Sequence, residues 1–153
     1  MKSIQNYRTM SDDNSVNADL EKPFISDLGE LNQRISRSWV PYFGDIDLTR
    51  AIFSGTDLGN ACFDGANLSF SSMVNADLVG ATLTGSDLSE AKLTGVSLHE
   101  ANLSEADLSG SNMKKANLQG ANLSGVDLRG ANLSGAKLDD VQWPAGWKLV
   151  RDQ

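Results

Sequence analysis

Large apolar residues recur every five positions along most of this chain, with polar residues and glycine filling the intervals. The series runs Leu48, Phe53, Leu58, Phe63, Leu68, Met73, Leu78 and on without a slip through Leu138 to Trp143. Of its 20 central positions, 15 are Leu, two Phe, two Met and one Trp. Two residues before each centre stands a small or β-branched residue: 12 Ala, three Ser, one Thr, three Val and one Ile. Ten of the 20 positions two residues after a centre are Gly. Self-similarity at a fixed period predicts a solenoid.

A period of five fits neither a helix at 3.6 residues per turn nor a strand at 2.0. On a helix, residues five apart advance by about 140° net, which scatters the leucines around every face. On a strand, an odd period sends successive centres to opposite sides. The pattern therefore predicts a backbone that bends once per phrase, with every centre aimed at one axis. One large and one small residue per phrase fill the narrow interior, and Gly near the phrase boundary suits a turn that needs φ > 0. No Pro lies between Pro41 and Pro144, so stacked coils keep their N–H donors.

Phrases such as Ala66-Asn67-Leu68-Ser69, Ala106-Asp107-Leu108-Ser109-Gly110 and Ala131-Asn132-Leu133-Ser134-Gly135 carry a resemblance to the pentapeptide-repeat family, whose consensus is A(N/D)LXX. The resemblance implies an all-β solenoid, a right-handed quadrilateral β-helix with four phrases per coil. Twenty phrases then make about five coils, a rod roughly 24 Å tall at about 4.8 Å between hydrogen-bonded neighbours.

Outside the repeat the composition changes. Residues 1–23 are polar, without a signal-peptide or transmembrane run, and are expected to form a disordered tail of a cytoplasmic protein. Residues 24–45 are expected to form an N-terminal cap. Asp27 with Glu30 resembles a capping box, and Leu28, Leu31 and Ile35 recur at helical spacing, which predicts a short amphipathic α-helix over about 27–38. Ser26-Asp27-Leu28 also looks like a lone phrase 20 residues before Leu48, although Gln33 and Ser38 at the next two centres argue against a further coil. The repeat domain is assigned to 46–145 and a C-terminal cap or tail to 146–153. Trp143 and Trp147 are either lid material over the last coil or an end-to-end dimer contact, so the chain is expected to be a monomer or such a dimer.

With four phrases per coil, residues 20 apart stack into columns, and the residue before each centre points outward. On the first face, centred on Leu48, Leu68, Leu88, Leu108 and Leu128, that column reads Asp47, Asn67, Asp87, Asp107 and Asp127. Carboxylates roughly 5 Å apart repel by about 1 kcal/mol per neighbouring pair in water. The column is either a tolerated solvated surface or an acidic stripe awaiting a cation. The second face, centred on Phe53, Met73, Leu93, Met113 and Leu133, carries Lys92, Lys114 and Lys115 toward one end. Toward the other lie Ile52 and Val74, with Phe70 at the adjoining corner; such neighbouring apolar residues rimmed by charge are either a contact site or larger-than-usual groove fillers. The third face, with Asp57, Asp77, Glu100, Asp139 and Asp140 against Lys137, is again acidic. At Leu103, buried Asp is expected to unfold neighbouring coils, whereas Asn102→Ser is expected to be nearly silent.

Residues 46–140 hold 12 acidic and six basic side chains, and the whole chain has a formal charge of −7. Such a surface disfavours nucleic acid and anionic membranes. One Cys excludes a disulfide framework, and a single histidine, His99, read as a solvated surface residue, leaves no metal cluster or histidine-dependent triad. Cys62 is expected to be unreactive, with no base nearby in its coil. No metal or cofactor is expected. The leading expectation is a non-enzymatic scaffold that docks an unidentified protein partner on one flat face. The alternative comes from the resemblance: some family members look like acidic DNA mimics that occupy type II topoisomerases and protect against quinolones. The Asp47, Asp87, Asp107 and Asp127 column fits that in charge, while the short rod and the lack of a projecting loop depart from it.

Overall fold

The bend demanded by the five-residue period is a type II turn repeated at every phrase. In the computed structural model, which describes residues 40–147, the N–H two residues before a centre donates to the carbonyl of the preceding centre. Ala51 donates to Leu48 at 2.9 Å and Ala61 to Leu58 at 3.0 Å. The residue two past the centre takes positive φ at every one of the 20 corners from position 45 to position 140, ten of them Gly and ten not. A single left-handed residue at the third turn position defines the type II form.

Four such bends close a coil, and successive coils pair in parallel 20 residues apart. On the first face the ladder runs Asp47 to Asn67, Asp87, Asp107 and Asp127; on the second it runs Ile52 to Ser72, Lys92, Asn112 and Asn132. Leu88 donates to the Asp107 carbonyl at 2.7 Å and Leu108 to that of Asp127 at 2.9 Å, which sets these two leucines on adjacent rungs of one side. The chain forms a four-sided parallel β-helix.

The centres and the small residues before them converge on the axis. Leu68, Met73, Leu103, Leu108, Met113 and Leu118 are completely or almost completely buried, as are Ala61, Ala81 and Ala116. Full burial of each large apolar side chain contributes about 1.5–3 kcal/mol. At the N-terminal end, Phe43 stacks on Phe63 with centroids 4.8 Å apart, and Phe53 meets both edge-on at 6.0 and 5.8 Å.

That cluster moves the start of the repeat. Phe43 belongs to the solenoid rather than to the cap assigned to 24–45: it occupies a centre, and Tyr42 pairs with Cys62. Pro41 and Tyr42 disguise this phrase, since neither matches the Ala-Asn preceding other centres. Pro41 nevertheless accepts from the Cys62 N–H at 2.9 Å, and a first phrase has little use for the donor that proline lacks. The expected helix over 27–38, the tail 1–23 and residues 148–153 lie outside the described residues. At the other end the last rung is Asn122 with Gln142, after which Pro144 interrupts the ladder; Leu133, Leu138 and Trp143 are only partly buried there.

Candidate docking face

The residue before each centre has a backbone task as well as an outward direction. Inter-coil pairing and the corner turn use the other amides of a phrase, leaving free the N–H one residue past the centre. Asp or Asn before the centre accepts it. Asp87 Oδ1 takes the Ser89 N–H at 2.9 Å, Asp107 the Ser109 N–H at 2.8 Å and Asn132 the Ser134 N–H at 3.0 Å. Every Asp and Asn at this position among the described residues makes such a bond, 12 in all. Each satisfies a donor and contributes about 1 kcal/mol. The acidic column of the first face is therefore part of the coil's own hydrogen bonding. Asn102 does more than expected: besides accepting from Ser104 it donates to Thr84 Oγ1 at 3.1 Å and accepts from Asn122 at 3.2 Å. Its replacement by Ser is therefore expected to cost the bonds with Thr84 and Asn122.

The corners obey a second rule, seen with the rod axis pointing toward the C-terminus. A left-handed corner residue with a side chain lies beneath a glycine of the next coil. Asn60 sits under Gly80, where an added Cβ would come within 2.6 Å of Asn60 Oδ1. Asp45, Asn75, Glu90, Glu100, Glu105 and Lys115 likewise lie under Gly65, Gly95, Gly110, Gly120, Gly125 and Gly135. One column departs from this order. Arg50, Phe70 and Glu90 follow one another without a glycine, all with positive φ. Phe70 is 54% exposed at φ 58°, a conformation that a bulky side chain adopts at a cost. The Arg50 guanidinium lies 5.9 Å from its ring centroid, a cation–π contact of about 0.5–1 kcal/mol at an exposed site.

Phe70 stands at the edge where the chain turns onto the second face. There Ile52, 59% exposed, pairs with Ser72, and two residues on from Ser72 is the half-buried Val74. The next coils carry Lys92, then Lys114 and Lys115, all exposed. The six residues singled out in the sequence thus share one face and its leading corner, apolar toward the N-terminal end and basic toward the C-terminal end. Arg50 and Glu90, which bracket Phe70, were missed. Their 20-residue spacing on either side of Phe70 is the sequence signal that marks them.

Charge separates this face from its neighbours. Its five phrases, 51–55, 71–75, 91–95, 111–115 and 131–135, contain three lysines and no carboxylate, a net +3. The first face has Asp47, Asp87, Glu90, Asp107 and Asp127 against Arg50 and Arg129, so five minus two leaves −3. The third has five carboxylates against Lys137, leaving −4. Arg129 folds back on Asp127 and holds its carboxyl below the usual carboxylate range, chiefly through their side-chain hydrogen bonds.

The other candidates carry less. Trp147 is 50% exposed and Trp143 packs partly against the core at the C-terminal end. His99 is not simply solvated: it is half-buried, and Nδ1 donates to the Gln119 carbonyl of the next coil at 2.9 Å, since a carbonyl can only accept. Cys62 has a carboxylate nearby after all, its thiol donating to Asp64 at 3.6 Å. Among the described residues no group of three His, Cys, Asp or Glu side chains could hold a metal ion. No helix there is long and apolar enough to cross a membrane.

Comparison with known proteins agrees with the periodicity. The family model for pentapeptide repeats matches eight copies over residues 42–69, 61–99 and 101–140, more than half of the chain. The chain belongs to the pentapeptide-repeat family. Comparison with curated proteins finds no significant match. Among solved structures it resembles Rfr23, a pentapeptide repeat protein from the cyanobacterium Cyanothece 51142, at 41% identity and a TM-score of 0.56, covering 63% of each chain. It thus spans less than two thirds of that protein's length. A pentapeptide repeat protein of the Arabidopsis thaliana thylakoid lumen is 32% identical over 65% of this chain and 69% of its own, with a TM-score of 0.39. A trypsin-treated form of QnrB1, a plasmid-mediated fluoroquinolone resistance protein, is 21% identical over 63% of this chain and 48% of its own, with a TM-score of 0.34.

Proposed function

We propose that this pentapeptide-repeat protein is a non-enzymatic scaffold of the cytoplasm that docks a protein partner on its second face. The observation that carries the proposal is the departure of that face from the rest of the rod. It bears lysines where neighbouring faces bear carboxylates, and beside it Phe70 breaks the alternation of side chain and glycine at the corners. A repeat held by three inter-coil hydrogen bonds per phrase loses little entropy on binding, so its surface is pre-organised. The reading requires no cofactor or metal, no nucleic acid and no membrane, and leaves room for a monomer or for copies joined through Trp143 and Trp147. Its test is affinity capture from the native host with wild-type and Phe70→Asp protein. Loss of a specific partner with the variant is expected; unchanged recovery removes the patch from consideration.

The topoisomerase reading rests on the Asp47, Asp87, Asp107 and Asp127 column of the first face. The backbone bonds these carboxylates accept weaken it, because they account for the residues without a partner. A gyrase supercoiling assay decides between the two: no effect at micromolar protein eliminates DNA mimicry.

A further inference from the structure

We infer that the occupant of the second face is an acidic amphipathic α-helix lying along the rod axis. The inference rests on the docking reading and gives its partner a chemistry. The mode of contact follows from the fold. Strand addition needs an open edge, whereas the strands on the sides of this rod pair with the coils above and below and leave no edge for a further strand. A helix rises about 5.4 Å per turn and coils stack about 4.8 Å apart, so a helix parallel to the axis sets roughly one turn on each coil. From the coil of Ile52 to that of Lys114 is three coil steps, and the two periods drift apart by only about 2 Å over that span. About ten helical residues cover it.

Charge sets the composition and the orientation. Phe70, Ile52 and Val74 offer an apolar seat over the first two coils, and Lys92, Lys114 and Lys115 follow over the next two. The matching segment carries an apolar pair at helical spacing, followed one to two turns later by Asp or Glu. The acidic first and third faces on either side repel such a segment when it slips sideways, which holds it on the one face without carboxylates.

The test is selection of a displayed library of random 16-residue peptides on the full-length protein, followed by anisotropy titration of the enriched peptides. Winners are expected to show the apolar pair and the later acids at three- or four-residue spacing, and to gain helical circular dichroism when bound. Lys114→Glu with Lys115→Glu, and separately Phe70→Asp, should each weaken them by at least about tenfold, with melting curves unchanged. Absence of enrichment overturns the inference, as do basic or non-helical winners, or equal binding by the charge-reversed protein. Tighter binding to full-length protein carrying Leu28→Asp and Leu31→Asp overturns it in favour of the chain's own N-terminal segment. A mass that doubles with concentration, and does so only when Phe70 is intact, overturns it in favour of a second copy. Each of these failures leaves the host-capture result standing, so the helix and the docking face can be lost separately.

Discussion

The first and second faces of this rod are built from the same phrase on the same coils, yet they use the position before the centre differently. On the first face that position is Asp or Asn in all five coils, and each side chain accepts the N–H two residues on. On the second face Ile52 and Lys92 offer no acceptor there, and Ser72 pairs instead with the Ser54 hydroxyl at 2.8 Å. A carboxylate on the first face has a structural cause and so says little about partners. On the second face Ile52 and Lys92 give up that backbone bond, while Asn112 and Asn132 keep it. The lesson is that function in a repeat is sought where the consensus is abandoned at a structural cost.

The largest expected effect tests the inward–outward frame on which both faces depend. Leu103→Asp places a charge among fully buried neighbours and should cost several kcal/mol, unfolding adjacent coils. Asn102→Ser, one residue away, should cost about 1 kcal/mol by breaking the Asn102 bonds with Thr84 and Asn122. Urea unfolding of both variants measures the gap, and comparable midpoints would mean that centres and flanking residues do not differ in direction.

Next comes the Asx bond itself. Asp107→Ala should destabilise by about 1 kcal/mol through the orphaned Ser109 N–H, while Asp107→Asn keeps the acceptor and relieves repulsion from Asp87 and Asp127. The Asn variant should match or exceed wild type, by a margin that shrinks in salt. If Ala and Asn melt together, the column has no backbone role and its carboxylates need another explanation.

The corner anomaly predicts a gain. Phe70→Gly removes a bulky residue from left-handed φ and should leave stability unchanged or raise it by up to about 1 kcal/mol, despite the lost Arg50 contact. The same protein should capture its partner poorly. Lower stability together with normal capture would make Phe70 a structural residue.

The smallest effect is in pH. The Asp127 carboxyl is held below its ordinary value of 3.8 by Arg129. A depressed folded pKa contributes stability that is fully present above the unfolded value and fades as pH falls through the folded one. Denaturation midpoints for wild type and Asp127→Asn should therefore converge only below about pH 3.8. A difference that instead opens in acid would reverse the assignment.

Much of the architecture was legible along the chain. A strict five-residue period predicts a coil bent once per phrase and the burial of Leu103 or Met113, while the 20-residue stacking was implied by the resemblance to the pentapeptide-repeat family. The start of the repeat could not, because Pro41-Tyr42-Phe43 lacks the small and polar residues that mark a phrase, and only packing against Phe63 reveals Phe43 as a centre. The six residues of the candidate site were found because they are apolar or basic at outward positions. Arg50 and Glu90 were not, because their importance lies in what stacks on them.

By itself, the sequence determined which residues from Leu48 onward face the axis, since periodicity is a property of order along the chain. Tertiary structure decided what each outward residue is for. Whether Asp107 caps an amide, whether Asn102 ties three coils together and whether Phe70 finds a glycine or a side chain above it depend on contacts between residues about 20 positions apart. Those contacts exist only once the coils have stacked.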